Sequence, residues 1–278
     1  MTRTEIQKFV DEFGVDVEIV DHWECPAETS AKLLTMPNIP LAVQGKNMQP
    51  RTIYGARTWE FLRKKCYFNA NYKSEITGID PPKGQLHAHE LFSYDYAKQE
   101  GVFQRIIALT KMEHDFIHSG RLITLYREGN PTIPRSYLLK VVENGFKIIS
   151  EYNEAHSDEE PLRCYGTFLQ FLRVDDIRNE VLALIRKYNI KFYNEVLPKS
   201  KQFKGWHVIV GNKRYNSPYA RKEDWEEAMK VARKNDFVRN LNNPFAGGAY
   251  EELREAMKKV NVVKEIPGCK PGRVSKRK

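Results

Sequence analysis

The chain has 278 residues, of which 41% are apolar, 12% aromatic and 29% charged, and its formal charge is +9. Such a composition can bury a real core and excludes collagen-like, coiled-coil, low-complexity and membrane-spanning classes. The opening Met1-Thr-Arg-Thr-Glu-Ile lacks an apolar leader, and Cys25, Cys66, Cys164 and Cys269 have no C-x-x-C spacing. Reduced thiols in a cytoplasmic setting, with no membrane partner, are therefore expected.

The sequence pattern gives an α+β chain. Residues 1–57 read as an N-terminal α/β segment. Within it, Ile6, Phe9, Val10 and Phe13 have helical spacing and Val15–Val20 alternates like a strand. Residues 21–57, broken by Pro26, Pro37, Pro40 and Pro50, read as irregular, and Thr58 reads as the N-cap of a helix through Cys66. Residues 58–128 then spell a strand over Leu86–Phe92, a long loop, a strand over Ile106–Leu109 and a helix over Lys111–Gly120, with Gly120 as C-cap. Residues 131–197 form a helical region with apolar stripes along Ser136–Glu154 and Asp175–Tyr188. After a linker at Pro198–Lys204, residues 203–263 read as a small ββα module. It comprises a hairpin around Gly211-Asn212, a helix over Glu223–Lys234 and another over Ala249–Val260.

Four of the seven histidines, His87, His89, His114 and His118, lie between residues 87 and 118. His114 and His118 are spaced i, i+4 on the predicted short helix, so they share a face and suit one metal ion. An isolated pair of this kind is more often two surface histidines. Here the helix follows a strand that carries two more.

Taken together, His89-Glu90 at a strand end and Arg105 through His114, His118 and Arg121 resemble the HNH, or ββα-metal, endonucleases over about Tyr72–Arg121. The helix most resembles that of the colicin-type nucleases. The stretch His89–Asp95 with Leu109-Thr110 resembles a bacterial HNH-like group that carries a zinc knuckle of two cysteine pairs. The resemblance implies an HNH-like ββα-metal core. In it, His89 is the general base, His114 and His118 hold one divalent metal (Mg, Mn, Ni or Zn), and Arg105 or Arg121 clamps a phosphate.

Three positions depart from the pattern. The knuckle cysteines fall on Ser74, Thr77, Thr110 and Glu113, so no structural zinc held by four cysteines is expected. The residue before the base is Ala88, with Glu90 as a substitute metal ligand. The middle Asn of the signature falls on Arg105.

Basic residues add a polyanion reading. From Lys258 to Lys278 there are eight basic residues and one acid, a local charge of +7. Residues 264–278, with Lys270, Arg273, Lys276, Arg277 and Lys278, form a basic tail suited to nucleic acid, or else a solubilising segment. Lys213, Arg214, Arg221 and Lys222, set among Trp206, Tyr215, Tyr219 and Trp225, are further phosphate-contact candidates, although the tryptophans read better as core.

Three function classes stay open. The first is a metal-dependent HNH-type endonuclease, a hydrolase acting on DNA. The second is a catalytically degenerate HNH scaffold that binds nucleic acid or a protein partner without cutting, as a bacterial or phage defence or counter-defence accessory would. The third is an interaction protein whose histidine cluster is accidental.

Overall fold

In the computed structural model, residues 3–14, 17–20, 31–36, 40–44, 48–82, 84–195 and 203–230 are described. The chain divides into two units, Met1–Trp225 and Glu226–Lys278. The second is described only over 226–230, which are helical. The expected helix over Ala249–Val260 and the tail residues Lys270, Arg273, Lys276, Arg277 and Lys278 lie outside the described residues. The architecture of the first unit is α+β, and no described helix is long and apolar enough to cross a membrane.

The first helix, α1, spans Arg3–Phe13, and the first strand, β1, spans Val17–Val20. Short 3-10 turns follow at Ala31–Thr35 and Leu41–Val43. Helix α2 covers Pro50–Asn69 and starts eight residues before the expected cap at Thr58. Pro50 enters at the first turn, where its missing N–H costs nothing. Gly55 then breaks the helical path with φ 77° and ψ 161°, so the end of the segment that read as irregular is a kinked helix.

Strands β2 (Leu86–Asp95) and β3 (Glu100–Thr110) make one long antiparallel hairpin rather than two short strands separated by a loop. The turn between them is held by the Asp95 carboxylate, which accepts the Lys98 amide at 2.9 Å. A register shift between Leu91 and Phe92 marks a bulge. Leu91 enters one core, and Phe92 and Tyr94 enter another. The alternation continues beyond Phe92 in the sequence, but the intervening polar residues mask it.

Helix α3 (Lys111–Ile117) begins as β3 ends, and α4 (Ser119–Arg127) follows directly, the two joined at His118 with φ −88° and ψ 36°. Gly120 is therefore inside a helix and is not a C-cap. Leu122 and Ile123 beyond it are buried, and that burial carries the helix onward. Helix α5 (Arg135–Ala155) presents Leu138, Val141, Val142, Gly145, Phe146 and Ile149 to the core. Strand β4 (Cys164–Tyr165), a 3-10 stretch over Gly166–Arg173, helix α6 (Arg178–Lys187) and strand β5 (Phe192–Glu195) complete this part.

Two sheets result. One is parallel, in the order β1-β5-β4. The other has the order β2-β3-β6-β7, with β6 (His207–Val210) parallel to β3 and antiparallel to β7 (Lys213–Asn216). The larger core joins α3, α4, α5 and α6 with Leu91, Ile107 and Leu109 of the hairpin. The helical region 131–197 thus shares a core with residues 58–128 instead of standing apart. Likewise, the expected C-terminal hairpin extends the β2–β3 sheet. Trp206 is fully buried with Phe92, Tyr94 and Tyr96 in the second core, and Trp225 packs against that cluster, the core role expected of both.

Candidate metal centre

The site is built from strand alternation and helix spacing. His87 and His89 lie on one face of β2, opposite Leu109 and Ile107 of β3. The chain then turns sharply into α3 through a capping box. The Thr110 side chain accepts the Glu113 amide, and the Glu113 carboxylate accepts the Thr110 amide at 2.6 Å. That turn lays α3 over the hairpin, with His114 and His118 facing the strand that carries His89.

Imidazole centroids are 4.6 Å apart for His114 and His118, 4.9 Å for His89 and His118, and 5.5 Å for His89 and His114. One ring nitrogen from each of His89, His114 and His118 lies within 4.8 Å of the other two. Tetrahedral zinc, with Zn–N bonds of about 2.0–2.1 Å, would need these nitrogens roughly 3.3 Å apart, a modest contraction. His87 stacks beside them, 5.2 Å from His114 by centroids. His89 is only 3% exposed, and its Nδ1 and that of His114 are buried with no hydrogen-bond partner. Buried polar atoms without partners are rare, and two in one cluster of imidazoles fit a site for a cation.

Electrostatics favour ligand-ready, neutral rings. Burial, followed by the charges of His118 and His114, holds the His89 imidazole well below its ordinary value. Burial, then His114 and Arg121, brings His118 down to about 3. Burial and then His114 lower His87 too. The Asp115 carboxylate lies beside the cluster, its Oδ1 3.8 Å from His114 Nδ1, too far for a hydrogen bond. Its Oδ2 accepts from Lys111 Nζ and from the Tyr137 hydroxyl, both at 2.6 Å. Burial works to raise that carboxyl, yet His114, Lys111 and Tyr137 together hold it below the usual carboxylate range.

The other expected site residues divide. Arg121 is exposed in α4, close enough to His87 and His118 for its charge to depress both. Glu90 is next to His89 but on the opposite strand face with Ala88, and it is not in the ligand group. Arg105 pairs with Leu91 in register and is held by Glu75, Nη1 to Oε2 at 2.5 Å, so it is not brought to the histidines. Glu75 is fixed in turn by the Ala108 amide at 2.9 Å. Lys213 and Arg214 lie on β7, reached through the β3 end that begins at Glu100. Val102 and Leu109 are seven residues apart, about 23 Å of strand. Arg221 is paired with Asp224 at 2.8 Å, and Lys222 is exposed nearby.

The four positions of the resembled zinc knuckle form a hydrogen-bonded group. The Glu113 carboxylate accepts from Ser74 Oγ at 2.7 Å and Thr77 Oγ1 at 2.8 Å, besides the Thr110 amide. The sequence pattern assigns no role to His87, Asp115 or Tyr137. The Lys111–Asp115 spacing of i, i+4 is a usable signal for Asp115, but nothing local marks Tyr137, which comes from α5.

Comparison with known protein families, with curated proteins and with solved structures finds no match to this chain.

Proposed function

We propose that this chain is a metal-dependent, HNH-type endonuclease that hydrolyses phosphodiester bonds in DNA. The observation that carries the reading is the convergence of His89, His114 and His118 from a β-hairpin and the helix that follows it. All three histidines then read as ligands, which moves His89 from the base role to the metal. Three imidazoles without a carboxylate favour zinc or nickel over magnesium. A divalent ion held there supplies a Lewis acid for a phosphoryl oxygen. His87, two residues before His89 on the same strand face and half-buried, is the neutral imidazole left to take a proton from the attacking water. Arg121 offers a bidentate clamp to the phosphate. The reading keeps the cytoplasmic setting, in keeping with the free thiols of Cys66 and Cys164.

A second reading, a non-cutting scaffold that binds nucleic acid or a protein, is favoured by one observation. Arg105, at the Asn position of the signature, is engaged with Glu75 away from the cluster.

Titration with zinc and nickel, run beside plasmid cleavage, tests both. Wild type should bind one ion per chain, and His89→Ala, His114→Ala and His118→Ala should each abolish that binding. His87→Ala should keep the ion while cleavage falls by roughly 10²–10⁴. Metal binding and DNA binding without cleavage would leave the scaffold reading standing. Absence of metal binding would end the nuclease reading.

A further inference from the structure

Helix α2 buries one face and leaves another uncovered. Trp59 and Cys66 are buried, and Cys66 Sγ reaches the Ile106 carbonyl of β3 at 3.4 Å. The outward face instead carries Phe61 at 66% exposure and Phe68 at 69%, one heptad apart, and the following loop adds Tyr72 at 59%. Phe61 and Phe68, so exposed at a spacing that shares a helix face, are a pair and not scattered surface residues.

The patch is also basic. Between Arg57 and Lys73 stand five basic residues, Arg57, Arg63, Lys64, Lys65 and Lys73, against the single acid Glu60. Outside Lys258–Lys278 the chain nets only +2, so this stretch is a local concentration of positive charge. Lys65 and Lys73 are exposed in the same stretch of chain, and Lys64 is exposed while leaning towards Glu60 at 3.6 Å.

The loop that presents Tyr72 is held in an uncommon conformation. Asn71 and Tyr72 have φ of 51° and 58°, a region asparagine enters readily and a bulky aromatic seldom does, and the Tyr72 amide is tied to the Tyr67 carbonyl at 2.8 Å. Strain of this kind tends to collect where a side chain must be presented. The helix is also tied to the start of β2. The Tyr67 hydroxyl donates to the Leu86 carbonyl at 2.9 Å, immediately before His87.

We infer that the outer face of α2, from Phe61 to Tyr72, is a docking surface for unpaired DNA, with bases stacking on Phe61, Phe68 and Tyr72 and phosphates held by Lys64, Lys65 and Lys73. Aromatic rings interleaved with cations suit a single strand, because every base offers a π-face and every nucleotide a charge. A duplex hides its bases and would use only the lysines. The inference deepens the nuclease reading and rests on it for the choice of DNA over RNA, but the surface is testable without catalysis.

The test is binding of fluorescein-labelled dT20, a U20 strand and a 20-base-pair mixed-sequence duplex to the full chain in EDTA. Wild type should bind dT20 more tightly than the duplex, and U20 binding tighter than dT20 would overturn the assignment to DNA. Phe68→Ala should weaken dT20 binding roughly tenfold and duplex binding far less, and Phe68→Trp should restore it. Lys65→Gln should lower the log–log salt slope for dT20 by about 0.7. Both substituted side chains are exposed, so folding should be unaffected, and the thermal midpoint checks that. His114→Ala should leave dT20 affinity unchanged in EDTA, which separates this surface from the metal centre. Unchanged dT20 affinity in Phe68→Ala, an equal loss for duplex, or no binding by wild type would each overturn the inference, whatever the cleavage assay gives.

Discussion

Glu113 is only 1% exposed, yet its two oxygens take hydrogen bonds from Ser74 Oγ, Thr77 Oγ1 and the Thr110 amide. Ser74 Oγ in turn accepts the Ile76 and Thr77 amides at 3.0 and 3.2 Å. One carboxylate thereby ties the loop before β2 to the first turn of α3, at the positions where the resembled nuclease group has cysteines. Glu113→Ala would leave three donors, the buried Ser74 hydroxyl and the half-buried Thr77 hydroxyl and Thr110 amide, without an acceptor. At about 1 kcal/mol or more for each unsatisfied group, the loss should be roughly 3 kcal/mol. For a folded unit of this size that lowers the thermal midpoint by roughly 6–12 °C. Glu113→Gln should also destabilise, since its amide nitrogen must face one of the hydroxyl or amide donors. Calorimetry of the two variants checks this, and an unchanged midpoint would mean that water replaces the carboxylate without loss.

Among the packed helices, the position of α3 depends on a glycine in α5. A Cβ on Gly145 would sit 2.2 Å from Cδ2 and Cε2 of Phe116. Phe116 is fully buried and packs on the rings of Phe168, at 4.5 Å between centroids, and Phe146, at 6.0 Å. Two effects oppose each other in Gly145→Ala. Alanine is the better helix former by about 1 kcal/mol. Forcing a methyl into a packed ring costs about 1–3 kcal/mol, and here the neighbour is an aromatic locked between two others. Packing should win, giving net destabilisation in urea melts. Because Phe116 moves with α3, the proposed zinc site at His114 and His118 should weaken as well. A stabilised variant with intact zinc binding would mean that the helices part more easily than their packing implies.

For the whole molecule, the histidine cluster sets an acid limit when no metal is bound. His89 and His118 have folded-state values depressed below the ordinary 6.5, chiefly by burial. The unfolded chain therefore takes up protons as pH falls through 6.5, while the folded chain does not, and stability drops with falling pH. Each buried imidazole contributes up to about 1.4 kcal/mol per pH unit across that window. His118 stops contributing only near pH 3, about its folded value. Urea midpoints in EDTA should fall steadily between about pH 6.5 and 4.5, above the range where carboxylates add their own loss. His118→Asn should flatten that slope. A flat wild-type profile would contradict neutral, buried rings.

Several features of the site are legible along the chain because they are local. Strand alternation puts His87 and His89 on one face, i, i+4 spacing aligns His114 with His118, and the Thr110-x-x-Glu113 pattern starts the helix between them. The stripe from Leu138 to Ile149 identifies α5 for the same reason, since periodicity over a few turns reports which side must leave water. Partnership between distant segments has no such record. Strand β1 pairs with β5, about 175 residues later, and β6 adds to β3 instead of forming a module of its own. Arg105 lies near His89 in the hairpin but is drawn to Glu75, and Asp115 is completed by Tyr137 from another helix. Gly120 reads as a helix stop until Leu122 and Ile123 are seen to be buried. Local order thus limits which faces and side chains are able to meet, and that much is written residue by residue. The meetings that occur are a property of the folded chain, because burial and hydrogen-bond satisfaction select partners among surfaces that look alike in one dimension.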